Sequence, residues 1–271
     1  MEWSKIKNII LLILLITNLF LLCLVGFQRW NTAHYQSGAR ADALSVLAKN
    51  RIEMDKDALP NDLSLPIASV TRDREGEAAM LAPLLGQVTE EALGGGQFLY
   101  SSEKGQAYLR SRGEFTITLT PGSYPLSGDM GDHALDMMEL MGFEGMVVST
   151  DADADSGSVI LLQLWNDVPI LTCRVQVTYH EGMLTSISGV RLTGTPTDTG
   201  TLELSAVTGL LRFLEQFIES GDVCSQVTVM QAGYQLTSGL SDPATLTPIW
   251  YFMTDSGAYT LDSVTAELKK Q

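Results

Sequence analysis

The chain has 271 residues, of which 45% are hydrophobic and 18% charged, enough apolar material for a packed core. Its formal net charge is −15 at pH 7, which argues against nucleic-acid binding and against lying flat on anionic lipid, since both present phosphate to an acidic surface. The acidity is uneven: residues 1–30 hold Lys5, Lys7 and Arg29 against Glu2 alone, whereas residues 31–271 carry 14 basic and 31 acidic side chains, a net of −17. Surplus carboxylates of this kind also serve simply to keep a secreted domain soluble.

Ile9 to Phe27 is a run of 19 residues without a charge, interrupted only by Thr17, Asn18 and Gly26. As a helix it is about 28 Å long, close to the hydrocarbon thickness of a bilayer. Trp3 and Trp30 bracket it at headgroup depth, where tryptophan prefers to lie. A cleavable signal peptide has a shorter apolar region and ends at small residues, whereas this run ends Leu24-Val25-Gly26-Phe27-Gln28-Arg29-Trp30. Leu22 before Cys23 is too large for lipoprotein processing. The expectation is an uncleaved anchor with Trp3, Lys5, Lys7 and Trp30 at its borders and Asn18 in mid-membrane. The short N-terminal tail is expected inside the cell and the body outside, because a long following domain is translocated largely regardless of charge.

Along the body, Gln36 to Asp57 reads as a helix running into a short extended piece, and Pro60 and Pro66 are expected to end any regular element. Glu75 to Leu85 is a second helix closed by Gly86. Gln97 to Leu119 reads as a hairpin that turns at Glu103-Lys104-Gly105 and returns along Phe115-Thr116-Ile117-Thr118-Leu119. Thr120 to Asp132, with Pro121, Gly122, Pro125, Gly128 and Gly131, is the candidate internal boundary. Beyond it come a helix over 134–141 and strands over 145–149, 158–166, 169–180 and 183–192, joined by turn formers at antiparallel hairpin spacing.

Leu202 to Ser220 gives the strongest helical pattern, with Leu204, Val207, Leu211, Leu214 and Ile218 as the apolar stripe and Gly221 as the stop. Strands over 223–234, 248–254 and 258–264 close the chain. Helices separated by antiparallel runs without a strict βαβ rhythm mean an α+β fold. The expected division is a short tail over 1–8, a transmembrane helix over 9–27, a membrane-proximal α+β region over 31–130 and a C-terminal α+β region over 131–271. The order helix, strands, helix, strands from residue 134 suggests two related units.

Few residues offer chemistry. Asp151, Asp153 and Asp155 have the spacing of the first half of an EF-hand loop, but Ser156 stands where glycine is needed and Leu162 where a glutamate is needed; an acidic hairpin tip and a weak calcium site both fit. Ser101-Ser102-Glu103-Lys104 spells S-x-x-K without the companion elements of penicillin-recognising enzymes. His34, His133 and His180 are isolated and read as solvated loop histidines. Gly94-Gly95-Gly96 lacks the lysine of a phosphate loop. Cys173 sits on the apolar side of a strand and Cys224 on a more polar side; a disulfide between them and a buried thiol at Cys173 are both open. No catalytic residue, metal ligand or cofactor follows from these motifs.

Several segments carry a resemblance. Met1-Glu2-Trp3-Ser4-Lys5-Ile6-Lys7 before the apolar run looks like the start of the YycI family. Ile187-Ser188-Gly189, Leu210 to Leu214, Gly233-Tyr234, Leu246-Thr247-Pro248-Ile249-Trp250, Thr254-Asp255 and Tyr259 match that family's later elements in order, with Ala266 departing where the family shows glycine. The resemblance implies a pair of PepSY-like units outside the cell and a regulatory function without catalytic residues. It implies two partners, a YycH-like membrane protein and a WalK-type sensor histidine kinase of cell-wall homeostasis. A membrane-tethered module that binds wall polymer or peptide is the competing expectation.

Overall fold

The computed structural model describes residues 14–15, 17–22, 38–237 and 243–271. Trp3, Lys5, Lys7, Trp30, His34 and Cys23 lie outside them, as do residues 9–13, 16 and 23–27 of the expected membrane span. Residues 14–15 and 17–22 are helical, with Leu14, Leu15, Leu19, Phe20, Leu21 and Leu22 exposed. Among the described residues no helix is long and apolar enough to cross a membrane.

The rest is a sheet-rich α+β fold with few helices. Residues 38–49 form helix α1, followed by the short β1 (Glu53–Met54) and β2 (Leu63–Val70). Then come α2 (Glu77–Leu85), β3 (Thr89–Gly94), β4 (Gln97–Ser102), β5 (Gly105–Leu109), β6 (Glu114–Leu119) and α3 (Met130–Glu139). Four antiparallel strands follow: β7 (Gly145–Asp153), β8 (Ser156–Trp165), β9 (Val168–His180) and β10 (Met183–Val190). The chain closes with β11 (Pro196–Leu204), α4 (Ala206–Ser220), β12 (Gln226–Thr237), β13 (Ala244–Thr254), β14 (Gly257–Asp262) and β15 (Leu268–Lys270).

All the strands belong to one sheet, whose main path runs β11-β2-β13-β12-β9-β10-β6-β5-β4-β3. Two apolar clusters fill it. The first draws Ala43 and Leu47 from α1, Leu65, Ala68 and Val70 from β2, and the buried residues of α4, β12, β13 and β14. The second draws Leu81 and Leu84 from α2, Ala134 and Met138 from α3, and the inward positions of β4, β5, β6, β8 and β10. Its members run from Leu81 to Ile187, with Met130 among them. Apart from Ile170 and Cys173, the first cluster takes up the chain again at Leu192. In sequence, the second core is therefore set inside the first.

Strand β9 serves both clusters. Its first half sends Ile170 and Cys173 into one, its second half Val175, Val177 and Tyr179 into the other. The change of parity between Ile170 and Cys173 is made by a break in register: Leu162 faces Arg174 while Gln163 faces Ile170. The residues left over, Leu171 to Cys173, bulge from the pairing, and Thr172 Oγ1 accepts from the backbone N–H of Leu236 on β12 (2.8 Å).

Several local expectations are corrected. Pro66 lies inside β2, facing Thr201 of β11. It is tolerated because β13 pairs with β2 only at 68–70, so the missing N–H falls on an open stretch of that edge. The hairpin over 97–119 is three strands, because the return after Glu103-Lys104 is β5 and a second turn precedes β6. The helix after Gly200 begins only at Ala206, where Ser205 Oγ accepts from Thr208 N–H (3.4 Å). Residues 202–204 are strand instead. Its inner face is Ala206, Gly209, Leu210, Phe213, Leu214 and Phe217, while Leu211 and Ile218 are exposed. The stripe read from the sequence was out of phase because this helix is apolar on more than one side.

Phe213 stacks on Phe252 with ring centroids 4.2 Å apart, and Phe217 meets Tyr259 edge-on at 5.4 Å. Gly209 lets α4 settle onto Trp250: a Cβ there would stand 2.6 Å from the indole Nε1. Alanine favours a helix interior by about 1 kcal/mol over glycine, yet overpacking costs about 1–3 kcal/mol. Gly209→Ala is expected to lower stability in urea unfolding despite its better helix propensity, and a gain would show that Trp250 yields freely.

Candidate functional site

The two clusters meet where the chain leaves β2 and where it returns after β10. The outgoing loop 71–76 and the returning loop 191–196 lie against each other. Asp73 N–H donates to Thr193 C=O (2.7 Å), and Gly194 approaches the Thr71 carbonyl so closely that any Cβ would collide with it. Gln163, at the end of β8 and 5% exposed, accepts through Oε1 from Leu192 N–H (2.8 Å). Arg191 N–H donates to Gly113 C=O (3.0 Å) on the β5–β6 turn.

These segments surround a cleft of about 550 Å³. Met80, Leu109, Phe115, Leu164 and Trp165 give it apolar wall, and Thr193, Thr195 and Asn166 give it hydrogen-bonding groups. Its charged lining is Asp73, Glu77, Glu114 and Glu144 with Arg110 and Arg191. No serine, cysteine or histidine is among the lining residues. The arrangement is suited to binding, by shape, apolar contact and a few polar groups.

Two of the lining acids are already paired. Arg110 meets Glu114 at 3.1 Å in an exposed contact. Glu77, on the first turn of α2 and 6% exposed, accepts from Arg72 Nε at 2.6 Å and from the Tyr100 hydroxyl at 2.7 Å, with Arg74 at 3.5 Å. Arg74 also pairs with Glu90 and lies over the Phe98 ring at 3.6 Å. Burial, then the hydrogen bond to Glu77, pushes the Tyr100 phenol well above its usual range, so it stays a donor. This network pins the outgoing loop and the start of α2 to β4.

Arg191 stands apart. Its Nε donates to Leu192 C=O (3.3 Å) and its Nη2 to Met141 C=O (3.2 Å). Nη1 is buried and has no hydrogen-bond partner. No carboxylate lies within ion-pair distance of this guanidinium among the described residues. Sequence reading passed over Arg191 and this cleft, because the lining comes from loops far apart in the chain and no motif joins them.

Of the residues singled out from sequence, Asn18 is within the described helix, where its Nδ2 donates to Leu14 C=O (2.8 Å). Asp151 and Asp153 end β7 opposite Ser158 and Ser156, with Asp155 in the tight turn. Among the described residues no three His, Cys, Asp or Glu side chains are grouped to hold a metal. Cys173 and Cys224 are free thiols and both buried, which corrects the polar placement of Cys224. Burial pushes Cys173 up to about 12 and Cys224 to about 11, so both stay protonated and unreactive. His180 is exposed. His133 is not a loop histidine: it lies on α3, 6% exposed, with Nδ1 2.7 Å from the Tyr179 hydroxyl.

Two stability predictions follow from these groups. Glu77→Gln leaves the buried Arg72 guanidinium without its counter-ion and is expected to cost about 3–5 kcal/mol in urea unfolding; a loss below about 1 kcal/mol would mean that Arg72 finds water. Burial lowers the His133 pKa from 6.5, against a smaller opposing effect of Asp136. The folded state therefore takes up this proton less readily than the unfolded chain. Its contribution is complete above about pH 6.5 and is lost as pH falls from there through the lowered pKa of the folded state. Between pH 7 and pH 5 the thermal midpoint should fall more steeply for the parent than for His133→Gln, and equal slopes would remove His133 from the acid response.

No family model matches the chain, and no curated protein matches it. Among solved structures it is similar to an uncharacterized protein from Eubacterium rectale ATCC 33656, at 11% identity and a TM-score of 0.48, over 81% of this chain and 90% of that one. It is also similar to the Bacillus megaterium YpeB C-terminal domain, at 12% identity and a TM-score of 0.34, over 74% of this chain and 98% of that domain.

Proposed function

We propose that this chain is a membrane-anchored accessory regulator of an essential sensor histidine kinase of cell-wall homeostasis. In this reading it acts through its transmembrane helix and its extracytoplasmic body, in contact with a YycH-like partner and the kinase. The observation that carries the reading is the arrangement of the sequence: 19 uncharged residues at Ile9–Phe27, flanked by Trp3 and Trp30, ahead of a body with a net charge of −17.

The segments that resemble the YycI family have packing duties in the body, most of them in the first core. Gly189 sits on β10 at φ 153°, where a Cβ would strike the Arg174 carbonyl. Leu210, Phe213 and Leu214 are buried on α4, and Tyr234 on β12 lies 4.9 Å from Trp165. Ile249, Trp250 and Tyr259 are buried on β13 and β14. These positions support a shared scaffold, and regulation by contact asks no more of it than surfaces.

Asn18 supplies a polar group inside the span. Its bond to Leu14 uses one of two amide N–H groups, which leaves an acceptor and a donor for a neighbouring helix. In a full-length two-hybrid assay with the kinase, Asn18→Leu is expected to weaken association by about threefold, since such bonds average ~0.6 kcal/mol. Unchanged association removes Asn18 from the contact.

One observation favours the wall-binding alternative. Behind the second core, the outer side of the sheet carries a row of uncharged polar residues in cross-strand register: Ser158, Thr178, Ser186, Thr118, Gln106 and Ser101. Such a row matches the hydroxyls of a glycan. Recovery of a YycH-like membrane protein with the full-length chain supports the regulator; recovery of wall polymer instead supports this alternative.

A further inference from the structure

We propose that the cleft between the two cores is a binding site for a carboxylate attached to an apolar group, with Arg191 as the residue that receives the carboxylate. The site is independent of the kinase reading and stands whether or not the chain touches one.

Three observations lead there. The cleft has about 550 Å³ of space, within the range that holds a short peptide or a small organic acid. Its walls include Met80, Leu109, Phe115 and Leu164, which favour an apolar substituent. At its lining lies a guanidinium whose five N–H donors are met, among the described residues, only by the carbonyls of Leu192 and Met141, with Nη1 buried and unpartnered there. Desolvation lowers the Arg191 pKa, and the Cys173 thiol that acts against it is itself protonated. A buried cation without a counter-ion is costly, and a ligand that brings one binds in proportion to the cost removed. The planar fork of arginine suits a carboxylate better than a point anion.

The other charges at the cleft do not oppose this. Glu77 is held by Arg72 and Arg74, and Glu114 by Arg110; Glu144 is exposed to solvent, which screens it, and lies beyond ion-pair distance of Arg191. Asp73 is turned to its own loop, accepting from Gly76 N–H (3.0 Å). A carboxylate beside an apolar group has two natural sources, the C-terminal end of a peptide and a free organic acid; the chemistry at Arg191 is the same for both.

Calorimetry on the full-length protein in detergent tests the site with three probes: acetyl-Gly-Gly-Leu as the free acid, the same peptide as its C-terminal amide, and 4-methylpentanoate. The free acid is expected to bind about tenfold or more tightly than the amide, the difference of one charge-assisted hydrogen-bonding group. Peptide acid binding well above 4-methylpentanoate assigns the site to a chain end, and the reverse assigns it to a small acid. Arg191→Gln should abolish the preference for acid over amide, whereas Lys104→Gln in the β4–β5 turn should keep it. If Arg191→Gln does not fold, the acid and amide comparison on the parent protein still decides. Equal binding of acid and amide, or no heat from either acid at millimolar concentration, overturns the proposal.

Discussion

Strand β9 is the constraint on which the rest of the body depends. A strand of 13 residues that feeds only one core needs a single inward parity. This one feeds two, and the bulge at Leu171–Cys173 lets Ile170 and Cys173 both point into the first core before Val175, Val177 and Tyr179 continue into the second. A one-residue slip elsewhere in β9 would turn those three residues outward and carry Arg174 and Gln176 inward. The bulge also frees the Thr172 hydroxyl to hold β12, the strand that meets β9 in parallel at Ile170 and Tyr234. Both halves of the sheet are thus registered from one short irregularity.

Setting one core inside the other in sequence has a geometric consequence. The chain must pass between the cores once outward and once back, and the two passages have to lie close because the flanking strands are fixed. Backbone hydrogen bonds between 73 and 193 and the bare backbone at Gly194 allow that approach. Large side chains cannot fill such a place, so space is left beside it. The Arg72–Glu77–Arg74 network stabilises the outgoing side through charge, while the returning side is held by backbone and by Gln163. Arg191 belongs to the returning side and, among the described residues, its side chain hydrogen-bonds only to carbonyls, which is the physical reason the same cleft carries both open volume and an unmet charge.

The sequence was legible where one periodicity acted alone. Alternation placed β8, β9 and β10 within a few residues, and the hairpin turns at Asn166-Asp167 and Glu181-Gly182 were readable from Asn, Asp and Gly, the types that positive φ selects; Asn166, Asp167, Glu181 and Gly182 all have φ between 51° and 69°. It was illegible where tertiary position overrode local pattern. Pro66 argued against a strand and was accommodated by a short pairing on one side. Leu211 and Ile218 counted toward an apolar stripe that the tertiary fold turned outward. His133 looked solvated because its partner, Tyr179, is 46 residues away. The cleft was invisible for the same reason, since its lining runs from Asp73 to Pro196 and only the doubling back of the chain assembles it.

Anchoring, as proposed, would give the two cores unequal positions. Helix α1 is described from residue 38, eleven residues after Phe27, and eleven residues span at most about 40 Å. The first core contains α1, so under that proposal it would be the part of the body held near the bilayer, and contacts that reach a partner's membrane-proximal segment would fall to it. Leu211 and Ile218 on α4 and Val46 on α1 are exposed apolar residues of that same half. The second core is joined to it through the sheet at β9, the packing of Trp165 on Tyr234 and the two crossing loops. A ligand seated between those loops would touch both halves at once, and if it bound one placement of the halves better than another, that difference would be the physical means of biasing a contact made at the membrane.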